Sequence, residues 1–192
     1  MSTINTTMWI LVAVLATVVI LAVVAWVVVQ QKRRTEKLRA QFGPEYAREL
    51  DRVHDRRKVE GKLEDRLKRV EHLPIRPLTS ADRARFVDSW RIVQAQFVDN
   101  PSAAIAEADR LLADVMSTRG YPTDSDFEQR AADISVDHPV VVENYRTAHS
   151  IAVQHSQGRA STEELRQAMI HYRSLFGELV SEPYAVQTRI AS

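Results

Sequence analysis

The densest group of chemically capable side chains in this sequence lies between residues 126 and 149. Asp133, Asp137, His138, Glu143 and His149 all fall there. Imidazoles and carboxylates together are the donors that a divalent metal or a small polar ligand uses, provided that the fold makes them converge. Each also has a structural use. Asp137 precedes His138-Pro139, where a helix is expected to start, and reads as its N-cap. Asp133 can pair with Arg130 or another arginine. An inward-facing His149 is most often a hydrogen-bonded core residue. The structural reading outweighs the functional one, and residues 126–149 are where a ligand or metal would be sought first.

Other sites of known design fail on spacing. The six histidines, His54, His72, His138, His149, His155 and His171, form no H-x-x-x-H or E-x-x-H pair, so neither zinc-protease nor di-iron spacing occurs. Asp51 and His54 are three apart but sit in a highly charged stretch and read as solvated. Asp124 and Asp126 resemble the start of a calcium loop, yet Glu128 holds the fifth position and the required glycine is missing, so capping explains them better. Five glycines, at 43, 61, 120, 158 and 177, are too scattered for a phosphate loop, and no G-x-S-x-G exists. There is no cysteine, hence no disulfide, thiolate zinc site or cysteine nucleophile. No catalytic residue and no cofactor is expected, and the chain does not read as an enzyme.

The elements that must position these residues are helices. Thr79-Ser80-Ala81-Asp82 resembles a capping box, and Phe86, Trp90, Val93 and Phe97 follow at helical steps. Asn100-Pro101 starts a second helix with a stripe of Ile105, Ala108, Leu112, Val115 and Met116, ended by Gly120. Asp124-Ser125-Asp126 caps a short helix, Phe127 to Ile134. Another runs from Asp137-His138-Pro139 to Gly158, with Val142, Tyr145, His149 and Ala152 inward. Ser161-Thr162-Glu163-Glu164 opens the last, with Leu165, Met169, Tyr172, Phe176, Leu179 and Val180 on its buried side. Helical spacing after Val140-Val141-Val142 argues against a strand there. Short loops predict an antiparallel helical bundle over residues 79–181, followed by a flexible tail, residues 182–192.

The N-terminal part has a different chemistry. Residues 8–29 hold 21 apolar side chains, interrupted only by Thr17. As a helix this run spans about 33 Å, enough for a hydrocarbon core of about 30 Å. Trp9 and Trp26 near its ends suit the membrane interface. A cleaved signal peptide would want a basic start and a shorter apolar core, and the first seven residues carry no charged side chain. Lys32, Arg33, Arg34, Lys37 and Arg39 follow the run, so the positive-inside rule places the short tail, residues 1–7, outside and the C-terminal part in the cytoplasm. The same basic residues can attract anionic headgroups of the lipid bilayer.

Residues 30–78 read as a basic, charged helical stalk ending in a proline linker. Residues 30–73 carry 14 Lys and Arg against 9 Asp and Glu. Gly43-Pro44 breaks the helix leaving the membrane, and Glu45 to Leu73 is expected to be one further helix, braced by Arg56–Glu60, Glu64–Lys68 and Asp65–Arg69. Tyr46, Leu50, Val53, Leu63, Leu67 and Val70 give a coiled-coil-like stripe that fails at Arg57 and Glu60. It could pack on the downstream helices or pair between copies. Pro74 and Pro77 forbid a continuous helix, and lysine disappears after Lys68, so the domain boundary is placed at residues 74–78.

A net charge of +1 excludes a nucleic-acid-binding charge excess, and 45% hydrophobic residues exclude disorder. The stretches DNPSAAIAEADRLLADVM (99–116), GYPTDSDFEQRAADISVDHPVVVENYRTAH (120–149) and STEELRQAMIHYRSLFGEL (161–179) resemble a family of uncharacterised bacterial single-pass membrane proteins with a helical soluble domain. FEQRAADISVDHP is the distinctive part. The resemblance implies a bacterial source and a helical soluble part on a single span. It implies no activity, cofactor or catalytic residue. The sequence therefore predicts an all-α chain at the bacterial inner membrane, acting as an anchored interaction or scaffold module with a protein partner or self-association through the stalk. The alternative is a tethered sensor that binds a small ligand or metal around residues 126–149.

Overall fold

The computed structural model describes residues 2–181, and in the first helix the side chains of Trp9 and of residues from Leu15 onward. Every regular element among them is helical: α1 (Ser2–Phe42), α2 (Pro44–Val53), α3 (Arg56–Glu71), α4 (Ser80–Asp99), α5 (Pro101–Arg119), α6 (Phe127–Asp137), α7 (Val142–Ser156) and α8 (Thr162–Ser181). The chain divides into two units, one ending at Gln41 and the other beginning at Phe42. The tail expected after residue 181 lies outside the described residues.

The first unit is α1. From Leu15 it is long and apolar enough to cross a membrane, and none of its apolar stretch is buried in protein. Leu15, Ile20, Leu21 and Val28 are all more than half exposed, as is Trp26. A helix in the core of a soluble protein would bury such residues. Lys32, Arg33 and Arg34 are exposed as the same helix continues to Phe42, where Gly43 (φ 48°) and Pro44 end it as expected.

The second unit corrects the expected stalk. Glu45 to Leu73 is not one helix. His54 turns left-handed (φ 57°), and Asp55 caps a new helix by accepting from the amides of Arg57 and Lys58. α2 and α3 then fold back on each other as a helical hairpin, which packs through α3 on α6. Of the coiled-coil-like stripe, Tyr46, Leu63 and Val70 are buried within the chain, while Leu50, Val53 and Leu67 are half-buried. The boundary placed at residues 74–78 falls inside this unit. There the Arg76 amide donates to the Arg119 carbonyl (2.8 Å), and Leu78 joins the core. The two prolines break the helix without separating domains.

Between residues 79 and 181 most helices start and stop where the sequence reading puts them. Thr79 accepts from the Asp82 amide, Asn100 from that of Ala103, and Ser161 forms a reciprocal box with Glu164. α4 packs on α5, α5 on α8, α8 on α7 and α7 on α6 around one apolar core. Trp90 stacks on Phe176 (4.6 Å between centroids) at one part of it, and Tyr145 and Tyr172 fill another. α6 departs from expectation by running three residues further, to Asp137, so that Asp137 ends α6 instead of capping α7. α7 starts at Val142 with no side-chain cap at all.

Candidate functional site

The five polar residues singled out between 126 and 149 are distributed to different partners. Asp133, on the α3 side of α6, accepts from Gln129 Nε2 (2.9 Å) and pairs with Arg69 (3.3 Å), an arginine other than Arg130. Burial raises its carboxyl above the ordinary range, against the pull of Gln129, Arg69 and Arg66. Asp137 accepts from the Tyr121 hydroxyl at 2.7 Å. His138 is buried, its Nδ1 3.7 Å from Glu178. His149 lies flat on Phe127, with centroids 3.6 Å apart and rings 6° from parallel. Its burial lowers the imidazole below the ordinary 6.5. Among the described residues no group of three or more His, Cys, Asp or Glu is placed to hold a metal ion.

Two of the five do share a surface. Glu143 and His149 line a groove of about 510 Å³ together with Arg48, Phe127, Glu128 and Arg146. Arg48 reaches Glu143 across it at 3.4 Å. The groove therefore offers an aromatic wall and charges of both signs.

The strongest polar constellation was not anticipated from the sequence. Glu45 and Glu49 stand one turn apart on α2 and are both nearly inaccessible, at 2% and 1% exposed. On α3, Val59, Leu63, Arg66 and Val70 recur at steps of four, three and four, so Arg66 occupies a core position in a buried stripe. Its guanidinium donates from Nη1 to Glu45 (2.9 Å) and from Nη2 to Glu49 (2.7 Å). Arg146 of α7 closes on Glu45 from the other side with two bonds, of 2.8 and 3.1 Å. Lys62 supplies the second oxygen of Glu49 at 2.9 Å. Nearby, the Tyr46 hydroxyl donates to Glu60.

Isolated carboxylates at this depth would cost several kcal/mol each, and only dense charge-assisted bonding offsets it. All four carboxylate oxygens of Glu45 and Glu49 are supplied with it. Burial pushes the Glu49 carboxyl up, but the bonds from Lys62 and Arg66 outweigh it and hold it at about 2. A carboxylate so neutralised makes a poor general base near neutral pH. The cluster works as an ionic clamp joining α2, α3 and α7. The sequence signal was available in Glu45-x-x-x-Glu49 facing a lone arginine within an apolar stripe, but hydrophobic pattern reading counts such residues as solvated.

Comparison with protein-family models, with curated proteins and with solved structures finds no match to this chain.

Proposed function

We propose that this chain is a single-span, membrane-anchored interaction module. α1 crosses the inner membrane of a bacterium, with the N-terminus outside and the helical bundle in the cytoplasm. One observation carries the reading: an uncharged run of 22 residues is helical, and the large apolar side chains described within that run are exposed. Exposure on this scale is stable in hydrocarbon and a liability in water. Anchoring confines the module to two dimensions and raises its effective concentration toward partners on the same surface. Trp9, Trp26 and the basic trio Lys32, Arg33 and Arg34 support interfacial placement.

The test is fractionation with a topology probe. After lysis and an alkaline carbonate wash the full chain should stay in the membrane pellet, and the double variant Val18→Arg/Leu21→Arg should be released. A thiol introduced at exposed Lys58 should react with an impermeant maleimide only after the cells are opened. Recovery of the unaltered chain in the supernatant would refute the anchor. Labelling of intact cells would move residues 42–181 to the other side.

A second reading, a tethered sensor, is favoured by one observation, the groove that brings Glu143 and His149 beside Phe127 and Arg146. A thermal-shift panel of metal ions and small polar metabolites against the full chain in micelles tests it. A response abolished by His149→Ala would support it, and no response across the panel would count against it.

A further inference from the structure

We infer that the α2–α3 hairpin is a releasable arm, latched onto α6 and α7 by buried charge and able to open while the rest of the helical body stays folded. The inference concerns residues 42–181 alone and stands whether or not α1 spans a membrane.

The main apolar core draws its residues from Leu78 to Val180 and takes none from α2 or α3. The buried apolar residues of the hairpin, Tyr46, Val59, Leu63 and Val70, lie outside it. Hydrogen bonds and ion pairs join hairpin to body at Glu45–Arg146, Arg66–Ser135 (3.4 Å), Arg69–Asp133 and Arg48–Glu143, beside a small apolar part on α6, where Ala132 and Val136 are buried outside the main core. Apolar burial gains free energy in proportion to area and holds a core shut. A buried ion pair largely returns its attraction as desolvation, so it fixes one geometry more than it adds stability. The closed interface also leaves polar atoms unserved. Asp133 Oδ2 and Arg146 Nε are buried with no hydrogen-bond partner among the described residues, and opening would let water reach both.

The hinge is equally defined. Residues 74–79 are non-helical, yet they are tied down by the Arg76–Arg119 backbone bond, the Arg76 Nε bond to the Thr118 carbonyl (3.2 Å) and buried Leu78. Leu73 also packs against the main core, so the arm would turn at His72, where α3 ends. At the other end Glu45 lies in the first turn of α2, directly after Gly43 and Pro44. What opening uncovers is the outer side of α6, where Asp133 and Ser135 are now almost wholly buried.

The chain has no cysteine, so single thiols report opening directly. Ser135→Cys places one beneath the arm, and Ala108→Cys places one in the main core, both at positions with no exposed surface. In the full chain in detergent micelles under native conditions, the first should react with a maleimide at least about tenfold faster than the second. Adding Glu45→Gln should accelerate the first again and leave the second unchanged. Equal rates for the two thiols, or a Ser135→Cys rate indifferent to Glu45→Gln, overturns the inference. If a thiol variant fails to fold, hydrogen exchange on the unaltered chain makes the same comparison. The amides of Val59–Val70 should then open separately from those of Leu111–Met116, and a single shared opening overturns it.

Discussion

Arg146 and Glu45 are 101 residues apart in the chain and meet through two hydrogen bonds, with both side chains almost wholly buried. Burial lowers the affinity of Arg146 for its proton, and Glu45 works against that. The pair ties a helix near the start of the second unit to one close to its end. Removing the arginine leaves Glu45 buried with Arg66 as its remaining hydrogen-bond donor. Arg146→Met should therefore lower the thermal midpoint more than the double variant Glu45→Gln/Arg146→Met, which removes both charges. The coupling between the two sites should be about 1–3 kcal/mol, read from a double-mutant cycle on the full chain in micelles. Additive effects would show that the pair contributes no mutual energy.

Glu49 predicts acid sensitivity. Its carboxyl sits at about 2 in the fold against 4.5 ordinarily, so its contribution is complete above 4.5 and disappears as pH falls from there toward 2. Asp133 works in the opposite sense, because its raised carboxyl disfavours the ionised fold and protonation relieves it. Melts between pH 6 and pH 3 should show a steeper fall in the native chain than in Glu49→Gln. Identical slopes would contradict the clamp geometry.

His149 predicts a second titration at milder pH. Its imidazole is held below 6.5, so the unfolded chain takes up the proton first. Stability should be full above 6.5 and should decline as pH drops below it. His149→Phe retains an aromatic ring against Phe127 and cannot titrate. The native midpoint should fall between pH 7 and pH 5.5 relative to that variant. A constant difference across this range would show that His149 titrates alike in both states.

Two glycines should respond to alanine with opposite signs. Gly120 ends α5 at φ 98°, and a Cβ there would stand 2.3 Å from the Pro74 carbonyl oxygen. Gly120→Ala should destabilise by about 2 kcal/mol or more, since neither backbone conformation nor space allows the methyl group. Gly61 lies inside α3 with open space around it. Gly61→Ala should stabilise α3 by about 0.5–1 kcal/mol through helix propensity alone. Thermal melts of both variants read the difference directly.

Thr79, Asn100, Asp126 and Ser161 start helices as their sequence context implies, and Gly120 stops one, because capping is a bond between near neighbours in the chain. The stripes of α4, α5 and α8 were legible for the same reason: periodicity is local. The break at His54-Asp55 is not legible in the pattern although Asp55 is an ordinary N-cap, since the charges on either side permit an unbroken helix. Asp137 reads locally as a cap, whereas its partner in the fold is Tyr121 on another segment.

By itself the sequence determined that the chain is helical, where most helices begin and end, and that α1 has the length and apolarity of a membrane span. Each of these depends on interactions within a turn or two, or on the transfer of side chains between water and hydrocarbon, and both are properties of residue type and order. Only the tertiary structure decided that the charged segment folds back as a hairpin, that Arg66 sits in a core stripe, and that Glu45 is closed in by α3 and α7. A carboxylate and a guanidinium are stable alone in water. Whether they remain there depends on whether distant parts of the chain bring them close enough to replace that water, and no local pattern encodes such a meeting.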